Sequence, residues 1–241
     1  MKRLAIWALF MLIISVILGA GEKDFWQSKP YTEWTEEEVK EMLTDSPWAR
    51  PVLISLGTFG IPAGGVQTSE SGRSGTPCAS CEDRPSPVIG TTQLPGMAPP
   101  VSVLVRWHTA LPVKQAMAKL RFGDEVASSP VAAELLSRQE TNYVVSLSGL
   151  PPATVPEDME QVKASASLNV KGRPPIQAEQ VQGSGGRETV NLAIVFPRGQ
   201  NGNHLITLED REVELKLKLG AIQISRKFKL KDMVYEGKLE L

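Results

Sequence analysis

By residue type and spacing, the chemistry available to this chain rests on one cysteine pair, two histidines and scattered carboxylates. Both cysteines lie in Cys78-Ala-Ser-Cys81. A disulfide between them would close a very small loop, adding little stability, and would belong to an oxidising compartment. A thiol-redox site needs its first cysteine at a helix start after a strand, where the thiol pKa is lowered. Here Thr76-Pro77 precede the pair and Glu82-Asp83-Arg84-Pro85 follow it. Haem attachment needs a histidine directly after the second cysteine, and Glu82 stands there. A structural zinc site needs two further Cys or His ligands, and the chain has only His108 and His204 to offer. The expectation is a local disulfide or a free thiol pair, with a redox site as the alternative.

His108 follows Trp107 at the end of an apolar run, and His204 follows a Gly/Asn turn. Either could serve as a general base in an extracellular enzyme, but a lone histidine beside loops is expected at the surface or satisfied within the core. The sequence carries no nucleophile elbow, phosphate-binding loop or dinucleotide fingerprint. No catalytic, cofactor or metal-binding residue is assigned, and no cofactor is expected.

Residues 1–21 read as an export signal. Lys2 and Arg3 give a positive start, Leu4 to Leu18 is uncharged and apolar, and Gly19-Ala20-Gly21 supply small residues for cleavage. An uncleaved anchor is the alternative, although a span needs about 20 apolar residues. Without Lys2 and Arg3, 24 basic residues face 27 acidic ones, a net charge of −3. That balance offers no basic footprint for nucleic acid.

The elements that must position any site begin with Lys23 to Arg50, which holds Trp26, Trp34 and Trp48 together with Phe25 and Tyr31. Thr35 and Glu38 have capping-box spacing, with Trp34 and Val39 placed as a hydrophobic staple. Glu36, Glu37 and Glu38 crowd the first turn, where the helix dipole favours negative charge. Val39, Met42 and Leu43 form one apolar stripe, and Pro47 closes the helix. A helix this short is marginal alone in water, so it must dock. The five aromatics either clasp their own domain or face a partner.

Downstream, Pro51 to Ile61 is an apolar segment. Residues 62–100 are dominated by Gly, Ser, Thr and Pro, too poor in large apolar groups to offset the entropy of ordering. From Val101 the pattern reads strand, helix, helix, strand. Val162, Ala164, Ala166, Leu168 and Val170 alternate as a strand would. Ile176 to Val181 is a weaker strand candidate, Gly183-Ser184-Gly185-Gly186 reads as a turn, and Thr189 to Phe196 as another strand. Val213, Leu215, Leu217 and Leu219 face one way and, with Gly220-Ala221 as a two-residue turn, begin a hairpin. Ile222, Ile224, Phe228 and Leu230 continue its inward face. Arg226 breaks the pattern by pointing inward opposite Leu215, which a bulge or a place at the sheet rim would explain. The expected class is α+β, a largely antiparallel sheet with two or three short helices and a Trp-rich N-terminal helical arm; a β-sandwich is the alternative. The expected divisions are 1–21 signal, 22–61 arm, 62–100 flexible loop and 101–241 domain.

The segments WQSKPYTEWTEEEVKEMLTDSPWAR and RKFKLKDMVYEGKLEL resemble segments shared by a group of uncharacterised exported bacterial proteins. They cover under a fifth of the chain and frame a variable middle. The resemblance implies export but no activity and no functional residue. The functional expectation is a non-enzymatic periplasmic or secreted protein that binds another envelope protein or a glycan. An extracellular enzyme, or a thiol-redox protein using Cys78 and Cys81, is the alternative.

Overall fold

The computed structural model describes residues 24–55, 100–200 and 203–241. Residues 1–21, expected as an export signal, the pair Cys78 and Cys81, and Asn201-Gly202 lie outside the described residues.

The described chain is an α+β fold built on antiparallel sheets. Its arm runs through α1 (Phe25–Ser28), a 3-10 turn (Tyr31–Glu33) and α2 (Glu36–Thr44) into β1 (Ala49–Ile54). Then come β2 (Val101–Trp107), α3 (Leu111–Phe122), α4 (Pro130–Ser137) and β3 (Asn142–Leu150). Next are α5 (Met159–Ser165), β4 (Ser167–Val170), β5 (Ile176–Gln177), β6 (Gln180–Gly185) and β7 (Val190–Pro197). The chain continues through the small pair β8 (Gly199–Gln200) and β9 (Asn203–His204) into the long hairpin β10 (Glu212–Leu219) and β11 (Ile222–Lys229), then the short hairpin β12 (Val234–Tyr235) and β13 (Lys238–Leu239). One sheet has the order β1-β2-β3-β7-β6 and the other β11-β10-β4-β5.

The two sheets share one core. Val103, Val105, Trp107, Val145, Leu147, Leu192 and Ile194 of the first sheet join Leu168, Val213, Leu215, Ile224 and Phe228 of the second in a single buried cluster. The Trp107 and Phe228 rings meet edge to face at 5.8 Å, the geometry their quadrupoles favour. The two sheets therefore share one core within the α+β fold, with helices added beside them. α3 sends Val113 and Ala116 into this core, while Ala118 forms a small satellite core with Val126 and Ala132 of the following helices.

Local signals account for most elements. The Thr35 hydroxyl accepts the Glu38 N–H at 3.3 Å and the Glu38 carboxylate accepts the Thr35 N–H at 2.7 Å, a complete capping box at the start of α2. Ser129 caps α4, with Pro130 as its first helical residue. Gly220 takes φ +56° and sets Leu219 opposite Ile222, as a two-residue turn with glycine first requires.

Three local readings are corrected. Residues Met159–Ser165 are helical, so the strand in that region begins only at Ser167. Asp158 starts the helix by accepting the Glu160 N–H at 2.9 Å. Val162 and Ala166, both buried, satisfy a helical four-residue spacing as well as alternation. Gly183, Ser184 and Gly185 belong to β6, and the turn follows, with the Gly186 N–H donating to the Thr189 carbonyl at 3.1 Å. Gly185 has φ +137°, and a Cβ there would collide with the Thr189 carbonyl. Ile176 to Val181 divides between β5 and β6, which belong to different sheets.

Candidate functional site

The arm aromatics form an internal ladder. Phe25 meets Trp26 at 4.9 Å and Trp34 at 5.4 Å; Trp26 meets Trp48 at 6.0 Å, and Trp48 meets Tyr235 at 6.4 Å, every contact edge to face. Trp26, Trp34 and Trp48 are 7%, 2% and 0% exposed. The Trp34 indole N–H donates to the Lys29 carbonyl at 3.4 Å, and that of Trp48 to the Glu240 carbonyl at 2.7 Å. Tyr31 packs on the satellite core. These rings join the arm to the β12–β13 hairpin, and only Phe25 and Tyr31 keep part of their surface exposed. A glycan platform needs open aromatic faces, which the three tryptophans do not provide.

The histidines lie apart in the fold. His108 is partly exposed just after β2, where its backbone N–H donates to the Val144 carbonyl at 2.7 Å. Burial and then the Arg106 charge lower its pKa, with Glu140 opposing, which keeps the ring neutral at neutral pH. His204 is exposed on β9 and lines a groove of about 710 Å³ with Arg173, Pro175 and Glu179. His108 is not part of that groove. Among the described residues no group of three or more His, Cys, Asp or Glu side chains gathers as metal ligands would. No described helix is long and apolar enough to cross a membrane.

What distinguishes this surface is the contrast between the outer faces of the two sheets. On the four-stranded sheet, the ladder register turns Glu212, Glu214, Lys216 and Lys218 of β10 and Gln223, Ser225, Lys227 and Lys229 of β11 outward. Lys227 pairs with Glu212 at 2.8 Å and Lys216 with Glu214 at 3.4 Å, and the Ser225 hydroxyl donates to Glu214 at 2.6 Å. This is a solvated, ion-paired face of the kind that resists association.

The five-stranded sheet is different. Its register sets Pro51 and Leu53 beside Ser102 and Leu104, then Val144, Ser146 and Ser148, then Asn191, Ala193 and Val195, then Gln180, Gln182 and Ser184. Arg106 is the one charged residue among these outward positions of the described strands, and its Nε–H is engaged by the Leu43 carbonyl at 2.8 Å. Leu53 is 71% exposed.

Searches against protein-family models, curated proteins and solved structures find no match for this chain.

With strands about 4.8 Å apart and residues about 3.3 Å apart, five strands of this length present about 450 Å². The largest apolar patch on an ordinary monomer is of this order and is often functional; here the apolar residues are interspersed with Ser, Asn and Gln. Short Ser, Asn and Gln side chains lose little conformational entropy on contact, and aliphatic Leu104, Val144, Ala193 and Val195 supply apolar area between them. The face can seat a partner through these uncharged contacts. The inward residues of each strand are legible in the sequence one strand at a time, and this face emerges only once the register aligns the outward ones.

Proposed function

We propose that this chain is a non-enzymatic binding module of the cell envelope or secreted space, and that the outer face of its five-stranded sheet docks a folded protein partner. The observation that carries this reading is the near absence of charge across five adjacent strands, beside a second sheet whose outer face is laced with Lys and Glu. Charge would be the cheapest means of keeping a solvent-facing sheet monomeric; one sheet uses it and the other does not. A protein partner fits better than a glycan because the described tryptophans are internal and offer no open ring for a sugar. The expected export signal places the encounter outside the cytoplasm. A face of about 450 Å² is smaller than the roughly 800 Å² per partner of a standard interface, so the complex is expected to be of modest affinity unless the neighbouring rim contributes.

The test is crosslinking of the native envelope with wild-type protein and with Ser146→Lys and Ala193→Glu variants, read by mass spectrometry. These changes sit on partly exposed outward positions and leave the core untouched. The expected result is a stoichiometric partner crosslinked through β3 and β7 that is lost from both variants at unchanged melting temperature. A partner retained by both variants, or a wild-type protein recovered free, overturns the reading.

A further inference from the structure

Each of the two main sheets has two edges, and three of these four edges are blocked. β1 carries Arg50 at an inward position, opposite Val105, and then Pro51, which has no N–H to offer a new strand. It also packs against β11. β11 carries Arg226 at an inward position, opposite Leu215, with Lys227 and Lys229 outward. β5 is two residues long and follows Pro174-Pro175. Inward charges, lysines, prolines and very short strands are the devices that keep an edge from pairing with another chain. β6 has none of them. Its residues, Gln180-Val181-Gln182-Gly183-Ser184-Gly185, hold no charge and no proline, and among the described strands only β7 pairs with it.

α5 packs on the inward side of this strand, with the Met159 sulfur beside Gly183. Gly183 and Gly185 are nevertheless exposed, and the exposed surface of a glycine is main chain. An edge strand turns about half of its N–H and C=O groups away from its one neighbour. Charge stands only beyond the ends of β6: Glu179 before it, and Arg187 with Glu188 in the turn after it. Glu179 and Arg187 are exposed and make no ion pair within the described chain. Extended chain between them spans about 26 Å, too far for the two to meet in one molecule.

We propose that β6 pairs antiparallel with β6 of a second copy of this chain, about a two-fold axis normal to the sheet. Opposite charges at the two ends of one strand complement the same strand reversed, which is what a second copy presents. A two-fold axis sets the central residue against its own copy, where any charge would repel itself; β6 has none to place there. With Gly183 at the centre, Gln182 stands opposite the partner's Ser184, Val181 opposite the partner's Gly185, and Glu179 opposite the partner's Arg187. Both unpaired charges thereby gain a counter-charge, twice in the dimer. Six residues a side is a small contact, so the dimer is reversible and concentration-dependent. The axis leaves the two uncharged sheet faces side by side on one surface of about 900 Å², enough for the roughly 800 Å² that one partner gives a standard interface. That consequence rests on the sheet-face reading above; the strand pairing itself does not.

The experiment is sedimentation equilibrium of the full-length chain from micromolar to millimolar concentration, where a reversible monomer–dimer equilibrium is expected. Glu179→Arg sets two like-charge contacts across the axis and should weaken the dimer about fivefold, and adding Arg187→Glu should restore it, because the charges are opposed again. Gln182→Lys and Gln182→Glu each bring a charge near its own copy and should weaken the dimer by a similar factor, while the two variants mixed should pair as tightly as wild type. All three positions are exposed, and unchanged melting temperatures of the monomers confirm that the fold is kept. Ser146→Lys, on the sheet face, should dimerise as wild type does, so this proposal and the sheet-face reading fail separately. The pairing is overturned by a monomer throughout, the result expected if residues 56–99 or a strand of another protein occupied this edge. It is overturned equally by a dimer indifferent to these variants, or by a mixture that pairs no better than either variant alone.

Discussion

The Trp48 indole N–H donates to the Glu240 carbonyl oxygen at 2.7 Å, across 192 positions of sequence. Trp48 is fully buried between Trp26 and Tyr235. Through this bond the N-terminal arm and the C-terminal segment lie against each other. The arm and the β12–β13 hairpin are therefore one packed unit.

Trp48 is accordingly the position where that unit fails first. Trp48→Ala empties a full indole from the core and should cost about 3–5 kcal/mol. Trp48→Phe keeps a ring but leaves the Glu240 carbonyl unpaired, and should cost about 1–2 kcal/mol. Urea denaturation of both variants checks this. Equal and small losses would mean that the arm contributes little to the folded state.

Thr35→Ala removes the hydroxyl that accepts the Glu38 N–H and should cost about 1 kcal/mol. The Glu38 carboxylate keeps its bond to the N–H of position 35 and its pairing with Lys29 at 2.7 Å in either variant, and Thr35→Ser, which retains the capping hydroxyl, should be nearly neutral. Thermal unfolding of the pair of variants separates the cap from the loss of a methyl group.

Lys114 is almost wholly buried, and its ammonium donates to Glu140 at 2.9 Å and to the Arg138 carbonyl at 3.0 Å. Breaking one side leaves a desolvated charge. Glu140→Gln should therefore cost about 1–3 kcal/mol, while Lys114→Met with Glu140→Leu should recover most of that, since an apolar pair of similar volume avoids the desolvation penalty. Glu140 also holds the His108 pKa up against burial and Arg106. In Glu140→Gln the His108 ring should titrate lower still, readable by NMR.

What could be read ahead of the structure follows from where information is local. The α2 cap, the Ser129-Pro130 start and the Gly220-Ala221 turn are each specified within four residues, and each formed as its chemistry dictates. Met159–Ser165 went unseen because Val162 and Ala166 fit two periods at once, and Asp158 sits in an acidic loop where one cap does not stand out. Arg226 was visible as a break in alternation. Arg50 was not, because its inward parity depends on pairing with Val105, more than fifty residues away. The uncharged sheet face was hidden for the same reason: Leu53, Leu104, Ser148 and Ala193 come from four strands and become neighbours only through register.

Tyr235 should leave a signature in alkaline solution. Its hydroxyl donates to the Gln115 carbonyl oxygen at 2.8 Å, both side chains being buried. Burial, and then the charge of Glu236, push its pKa from 10 to about 12. A folded pKa above the unfolded one means that the native state holds the proton more tightly. Its contribution is full below pH 10 and is lost as pH rises toward about 12, about 2–3 kcal/mol across that window. Tyr235→Phe removes this dependence but strands the Gln115 oxygen, at about 1–2 kcal/mol. The variant should therefore be less stable than wild type at neutral pH and draw level with it, or pass it, near pH 12. Tyr143, whose pKa burial also raises, is present in both proteins and cancels in the difference. Denaturation midpoints measured from pH 7 upward would show the two curves converging; parallel curves would mean that the Tyr235 phenol ionises in the folded state as readily as in the unfolded one.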